Sequence, residues 1–455
     1  MKLFNTLSGA KETLEKSDNR PLKLFVCGPT VYDYPHIGNA RTFLFFDIFA
    51  RYLRSQGYKL TYLQNITDID DKIILRAKED SVGWNLISRK FEKAYLENMR
   101  SLGVDSVDMY AKATDYIAEI VSQVKTLIAK GNAYLIEDDG YYFDLKTFPE
   151  YGKLSRRTVE QAEDAVTRID TSDKKRNRGD FSLWKLSSTD EPGWNTELGF
   201  GRPGWHIEDT AITEHFFGPQ YDIHGGALDL KFPHHEAEIA QQESASGLKP
   251  FVKHWIHAGF LTVDGQKMSK SLGNFVTIHA FLKDNPPELF RMMVFMHHYR
   301  SPLDYTENLI AIAKKNLSDI GAFVRKLELA RGEDGGNYAE EFKAKFEEAM
   351  DDDLNTPNAL AAVFETMNIV APKIYGLSKK SGKSLKTALV AAFGSVGIDL
   401  PSPRIPFKIR LLARKRDKYR SSKQFIQSDA LRDKAYALGY TIEDTPQGPF
   451  IWVRD

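Results

Sequence analysis

With 455 residues, 42% of them hydrophobic and 27% charged, the chain is long enough for two to four domains with separate cores, and its composition is that of an ordinary globular protein. Sixty-two basic residues balance 62 acidic ones, so overall charge announces no nucleic-acid partner and local charge has to decide that question. A single cysteine excludes an intrachain disulfide and, with an N-terminus that lacks signal-peptide character, leads to the expectation of a cytoplasmic protein; apolar runs shorter than the ~20 residues that span a bilayer lead to the expectation of no membrane helix.

The stretch from Leu22 to Leu53 reads as strand, loop and helix. Leu24, Phe25 and Val26 form an apolar run ending at Cys27, Gly28 and Pro29 break it, and Phe43, Phe46, Phe49 and Leu53 recur at helical spacing. His36-Ile37-Gly38-Asn39 falls where the strand hands over to the helix N-terminus. Free backbone N–H groups and the positive end of the helix dipole suit such a corner to phosphate. Lys59 to Leu63 then predicts a second buried strand and a β-α-β unit of a parallel sheet. The following Asn65 to Lys72 fits a capped, solvated helix start; it equally fits a crevice wall carrying Thr67 and Asp68 beyond the strand's carboxyl end.

From Asp71 to about Lys130 the pattern is mainly helical. Ala133 to Phe143 holds two β-type runs around Asp-Asp-Gly, a hairpin signal, and Lys174 to Asp180 is a basic, glycine-bearing loop expected to be solvated surface. These features predict that residues 115–197 interrupt the sheet as an inserted subdomain. The sheet is expected to resume near Trp205, with a short strand Tyr221 to His224 followed by Gly225 and Gly226, which admit either a tight turn or a closely approaching nucleotide. His234 and Glu238 are four apart on one helical face, an exposed polar pair or a ligand pair. Lys267-Met268-Ser269-Lys270-Ser271, after a turn and before Gly273, makes a cationic loop able to follow a polyphosphate.

Beyond Glu307, Leu309, Ala313, Leu317, Ile320, Val324 and Leu327 mark one face of a long helix in a helical bundle, with Asn355 or Thr356 capping a later one. Gly376 to Ser384 reads as linker, and Pro401 to Pro406 as another boundary. Between Pro403 and Lys434, eleven Lys or Arg residues face three Asp, a local charge of +8. That end calls for an anionic partner, or is a basic helix solvated for its own sake.

The ordered pair His-Ile-Gly-Asn and Lys-Met-Ser-Lys-Ser resembles the paired motifs of the class I aminoacyl-tRNA synthetases. FVCGPTVYDYPHIGNAR, NITDIDDK, GRPGWHIED, DIHGGALDLKFPHHEAEIAQ and KMSKSLGNF, within a similarity running from Phe4 to Gly448, resemble the cysteinyl-tRNA synthetases. The resemblance implies an α/β fold: a doubly wound, Rossmann-type parallel-sheet catalytic domain with an inserted subdomain, then an α-helical bundle and a small C-terminal domain. The expected divisions are 1–114 and 198–250 for the two catalytic halves, 115–197 for the insert, 251–306 for a stem-contact region with the lysine loop, 307–398 for the bundle and 399–455 for a basic anticodon-binding domain. It further implies ATP-dependent activation of L-cysteine and its transfer to tRNA(Cys) by a monomer.

By that resemblance His36, Asn39, Lys267 and Lys270 act on the phosphates, with Lys270 also in the ATP site beside Gly38, Gly225, Gly226 and Asp229. Gly28, Thr30, Thr67, Trp205 and His206 line the substrate site. Mg²⁺ accompanies ATP, and one Zn²⁺ per chain is held by Cys27, Asp209, His234 and Glu238. Asp209 departs from the family pattern, which has a second cysteine there, so zinc is expected to bind more weakly, with the substrate thiolate completing the site. Two other readings are a small-molecule cysteine ligase on the same core, disfavoured by the helical bundle and basic C-terminal end, and a silent RNA-binding paralogue, disfavoured by intact His36, Lys267 and Lys270.

Overall fold

The computed structural model describes residues 1–17, 19–157, 161, 174–269 and 272–453; Lys270 lies outside them. Two compact units are present, Met1–Pro287 with Tyr299–Asp304, and Glu288–His298 with Tyr305–Asp455.

The first unit is organised by five parallel strands in the order Val252–Ala258, Tyr221–Ala227, Leu22–Val26, Leu60–Ile66, Met109–Lys112. The three central strands are buried along most of their length because helices cover both faces. From Leu22–Val26 the chain leaves to one side through the helix Ile37–Ser55, and it returns on the other side as Tyr221–Ala227. The strand order therefore reverses beside Cys27, and open α/β sheets bind ligands at such a point, beyond the strands' carboxyl ends. The helix Ile37–Ser55 is buried almost all round through Phe43, Phe46, Phe49 and Leu53.

Several elements differ from the sequence-based expectation. Met109–Lys112, within a stretch that reads as helical, is the edge strand of the sheet; its four residues carry no strand periodicity, and pairing with Leu60–Ile66 decides the conformation. Gly225 and Gly226 lie inside the strand Tyr221–Ala227, not after it. A Cβ on Gly225 would sit 2.3 Å from the Phe46 ring and one on Gly226 2.7 Å from His235, so packing against helices accounts for both glycines. Asn65 to Lys72 divides between its two readings: Asp70 caps the helix Asp71–Glu79 through the Lys72 amide, whereas Asn65, Thr67 and Asp68 are buried.

A five-stranded antiparallel sheet, in the order Ala133–Ile136, Gly140–Phe143, Phe181–Leu186, Gly199–Pro203, Trp194–Thr196, interrupts the parallel one. The expected hairpin is its first pair. Its strand Gly199–Pro203 runs past residue 197, and the helix Ile117–Ala129 packs through Ile120, Val124 and Leu127 into the parallel sheet's core cluster. In the basic loop, Arg176 lies over the Tyr134 ring and pairs with Asp144.

At the start of Tyr221–Ala227, Asp222 is buried and accepts two bonds from Arg20 at 2.6 and 2.7 Å, one from the Lys23 amide and one from Lys253. Burial alone would raise this carboxyl; those donors outweigh it and bring its pKa down to about 2. A carboxylate held below its unfolded value of about 3.9 contributes stability above that pH and loses it as pH falls towards 2. Arg20→Ala is therefore expected to cost about 2 kcal/mol in urea unfolding at neutral pH, with the gap to the parent protein shrinking near pH 3. An equal gap at both pH values would assign Arg20 a role unrelated to that charge.

The second unit contains the helices Glu307–Lys326, Tyr338–Asp351, Thr356–Val370 and Lys379–Gly394. All six residues named for the first helix's apolar face are buried, and Asn355 caps the third helix. The supposed linker Gly376 to Ser384 largely becomes the start of the fourth helix, capped by Ser378 on the Ser381 amide; Leu385, Leu389 and Phe393, buried at helical spacing, carry the Ser- and Lys-rich first turns with them. Helices Phe407–Ser421 and Phe425–Ala437 then pack with the hairpin Tyr440–Thr445 and Gly448–Val453.

Candidate active site and metal pocket

His36 precedes the helix Ile37–Ser55 as its N-cap. Its Nδ1 accepts from the Gly38 and Asn39 amides at 3.1 and 3.3 Å, while Asn39 Oδ1 accepts from the His36 amide at 3.2 Å, a reciprocal capping box. Because Nδ1 is an acceptor, the proton of the neutral ring sits on Nε2. Burial lowers the His36 pKa to about 4 against the upward pull of Asp229, so the ring is neutral at physiological pH and donates from Nε2. Asn39 Nδ2 is the amide's remaining donor end.

Residues 275–278 tie the lysine loop to this corner. Ile37 N donates to Val276 O at 3.0 Å, Ile278 N to Pro35 O at 3.1 Å, and the Phe275 ring meets His36 edge to face. Lys267 is exposed in the hairpin Leu261–Val263 with Gln266–Lys267, and Asn274 fastens the loop through the Ser269 amide and the Lys267 carbonyl. Asp229 is exposed after the strand Tyr221–Ala227.

Cys27, at the end of Leu22–Val26, begins the second half of the site. Its amide donates to Gly225 O, and the next residue, Gly28, donates to Asn65 Oδ1 at 2.6 Å. Thr30 bridges to Thr67, whose hydroxyl donates to Glu208. Asp209 stands in the first turn of the helix Ile207–Phe217, and His234 and Glu238 share a face of the helix His234–Ser246. Cys27, Asp209, His234 and Glu238 converge: Cys27 Sγ is 3.2 Å from Asp209 Oδ2 and 3.9 Å from Glu238 Oε1, and His234 Nε2 is 3.0 Å from Asp209 Oδ2 and 3.1 Å from Glu238 Oε1. Trp205, 38% exposed, stacks on His234 with centroids 4.4 Å apart, and His206 Nδ1 meets His234 Nδ1 at 2.8 Å.

Burial sets the protonation of this pocket. Burial raises the Cys27 thiol well above its usual value, and the Asp209 and Glu238 charges add to the shift; burial and Asp209 likewise raise Glu238 and Glu208. Burial lowers His206, His224 and His235, so these imidazoles are neutral and offer lone pairs. Glu238 Oε2 is buried and, among the described residues, has no hydrogen-bond partner. Ligand atoms about 2.0–2.3 Å from a tetrahedral zinc lie about 3.3–3.7 Å from one another, close to the separations seen here. Thiolate, imidazole and carboxylate donors at these spacings fit a divalent transition ion.

Sequence reasoning missed His224 and His235, both fully buried, with Nε2 atoms 3.3 and 3.1 Å from Cys27 Sγ, and Asn65, whose amide donates to Asp209 Oδ1 at 2.5 Å. A histidine in a strand otherwise polar only at its start, where Asp222 stands, was the available signal for His224. His235 was hidden beside His234.

At the C-terminal end, Arg416 is 2% exposed and paired with Asp444, so one of the eleven basic residues holds the fold, and Arg420 shares the same carboxylate. Lys408, Arg410, Arg414, Lys415 and Lys418 are exposed on that helix and form its cationic surface. No described helix is long and apolar enough to cross a membrane.

Comparison with known proteins bears on both halves. Residues 13–315 match the family model of the class I (C) tRNA synthetase catalytic domain, and residues 345–398 match the DALR domain. The chain is 41% identical to a cysteine–tRNA ligase of Thermococcus gammatolerans over 100% of its length and 99% of the relative's. It is also 40% identical to one of Caldicellulosiruptor saccharolyticus, over 98% of each chain. Among solved structures, a Mycobacterium tuberculosis methionyl-tRNA synthetase in complex with methionyl-adenylate superimposes with a TM-score of 0.61 at 16% identity, over 83% of this chain and 90% of that one, which bears on fold alone. With a matching catalytic-domain model, a DALR domain and full-length relatives of one name, the chain belongs to the cysteine–tRNA ligase family of the class I tRNA synthetases.

Proposed function

We propose that the protein is a cysteine–tRNA ligase that joins L-cysteine to ATP as cysteinyl-adenylate, releasing pyrophosphate, and passes the cysteinyl group to the 3′ end of tRNA(Cys). The observation that carries the reading is the convergence of Cys27, Asp209, His234 and Glu238 beside a phosphate-type helix corner at the sheet's switch point. Full-length identity to cysteine–tRNA ligases and the DALR domain favour it over a small-molecule cysteine ligase.

Attack of the cysteine carboxylate on the α-phosphate, with Mg²⁺-bound pyrophosphate leaving, needs placement and charge stabilisation more than covalent help. His36 donates from Nε2 and Asn39 from its amide, while Lys267 and Lys270 close over the β- and γ-phosphates. Gly38 gives the phosphates access to the helix N-terminus; Gly225, Gly226 and Asp229 hold the adenosine, with Asp229 accepting from ribose hydroxyls. The cysteine lies among Gly28, Thr30, Thr67, Trp205 and His206.

Cys27, Asp209, His234 and Glu238 would hold one zinc ion, which when bound supplies a soft partner for the substrate thiolate and so favours thiol over hydroxyl. Asp209 hardens the set and weakens the hold, its carboxylate aligned by Asn65. In the second step a ribose hydroxyl of the tRNA end attacks the activated carbonyl and AMP leaves. The exposed basic side chains of Phe407–Ser421 supply the cationic surface that a tRNA needs. A cytoplasmic monomer is the form proposed.

ATP–pyrophosphate exchange with each amino acid, followed by charging of tRNA, tests the reading. Exchange is expected with cysteine, at least about 10²-fold above serine, and is expected to fall more than about tenfold after a zinc chelator. Absence of cysteine-dependent exchange, or exchange without tRNA charging, would overturn it.

A further inference from the structure

The pocket holds a second set of converging donors. Cys27 and Glu238 belong to two quartets, one completed by Asp209 and His234, the other by His224 and His235. The first faces the partly exposed Trp205. The second is sealed: His224 and His235 are 0% exposed, and Trp255 stacks on His224 with centroids 4.2 Å apart.

Both inner imidazoles are arranged as metal ligands usually are. Each turns Nε2 towards Cys27 Sγ and engages a partner through the distal nitrogen: His224 Nδ1 with the Tyr221 hydroxyl at 2.6 Å, and His235 Nδ1 with His257 Nε2 at 2.8 Å, which continues to the Thr6 hydroxyl at 2.9 Å. One S–H cannot be donated to both Nε2 atoms. Glu238 Oε2 lies 3.5 Å from His224 Nδ1 and, among the described residues, has no hydrogen-bond partner, so this carboxylate keeps lone pairs to offer. Asp209 has partners that do not depend on the Cys27 proton: Oδ1 accepts from Asn65, and His234 Nε2 lies 3.0 Å from Oδ2.

Donor softness favours the inner set, in which two imidazoles stand where the outer set has one imidazole and a carboxylate. A carboxylate at position 209 also competes less well for zinc than a thiolate would, while the inner imidazoles are unaffected by that substitution.

We propose that the pocket has two metal seats sharing Cys27 and Glu238, and that in this chain the cation rests in the inner seat with His224 and His235 until cysteine binds. The inner seat is closed by four protein ligands. Arrival of the substrate thiolate restores a soft donor to the outer seat and draws the cation there, with Asp209 and His234 replacing the two inner imidazoles.

This inference rests on the reading that the pocket binds zinc, and the test separates the two. Full-length protein prepared without chelator is assayed for metal content, and its zinc K-edge absorption fine structure is recorded with and without saturating cysteine. About one zinc per chain is expected, with two imidazoles in the absence of cysteine and one in its presence. No zinc overturns the zinc reading itself; one zinc with a single imidazole in both states overturns the inner seat alone, and two imidazoles in both states overturn the movement. Asp209→Ala supplies an independent arm: in competition with a chromophoric chelator its zinc affinity is expected to stay within about threefold of the parent, and a loss beyond about a hundredfold would show that Asp209 carries the resting ion.

Discussion

Replacing Cys27 by alanine is expected to lower cysteine-dependent ATP–pyrophosphate exchange by about 10³-fold or more, equivalent to about 4 kcal/mol of transition-state stabilisation, and to leave the protein without zinc. The size follows from position. Cys27 is the one thiol in the chain and belongs to both donor quartets, so no rearrangement of Asp209, His224, His234, His235 or Glu238 replaces it. Its removal leaves buried carboxylates facing one another with no soft donor between them. The fold is expected to tolerate the change, because the loss of one sulfur costs about 1 kcal/mol in a core of this size and the Cys27 amide still pairs with Gly225. ATP binding should stay within about twofold, since the His36 corner is capped by its own residues and owes nothing to the thiol. Zinc analysis, cysteine-dependent exchange and ATP affinity on one preparation read all three; a variant that keeps zinc and exchanges within about tenfold of the parent would remove Cys27 from the site.

How much of this is legible in the sequence depends on the distance along the chain over which each feature is encoded. The strand, loop and helix from Leu22 to Ser55 are written in one stretch, and so are Cys27 and the His36 corner within it. His234 and Glu238 were legible through the i, i+4 rule alone. The closing of Asp209 onto Cys27 was not a matter of spacing; the resemblance to known synthetases supplied it, and the sheet order explains it. His224 escaped because a parallel strand buried on both faces shows no alternation to set one side chain apart, and His235 because it lies beside His234 in a helix; what makes both ligand-like is distance to a residue some two hundred positions earlier. The edge strand Met109–Lys112 and the helix Lys379–Gly394 escaped for the opposite reason: local composition was uninformative or misleading, and tertiary pairing or a downstream apolar face decided the outcome. Gly225 and Gly226 show a third case: they lie within the strand and not in a turn, and packing against Phe46 and His235 requires glycine there in addition to any nucleotide contact.

Lys267→Ala is expected to lower the exchange kcat by about 10²–10³-fold while the KM values for ATP and cysteine change by less than about threefold. Lys267 is exposed and, among the described residues, is held through its backbone, by Asn274 on its carbonyl and by strand pairing with Thr262. Its loop is nevertheless fastened to the His36 corner through Val276, Thr277 and Ile278, so the base of the side chain stays in register with that corner. A charge on such a tether serves the transition state better than the ground state, because closure is rewarded only as negative charge accumulates on the departing pyrophosphate. If His36 and Lys267 stabilise the same developing charge, His36→Ala combined with Lys267→Ala should lose less than the product of the two single effects, with a coupling of about 1 kcal/mol or more in a double-mutant cycle. Strict multiplicativity, or a Lys267→Ala effect confined to KM, would mean that the lysine serves binding of ATP and takes no part in the charge stabilisation for which His36 is poised.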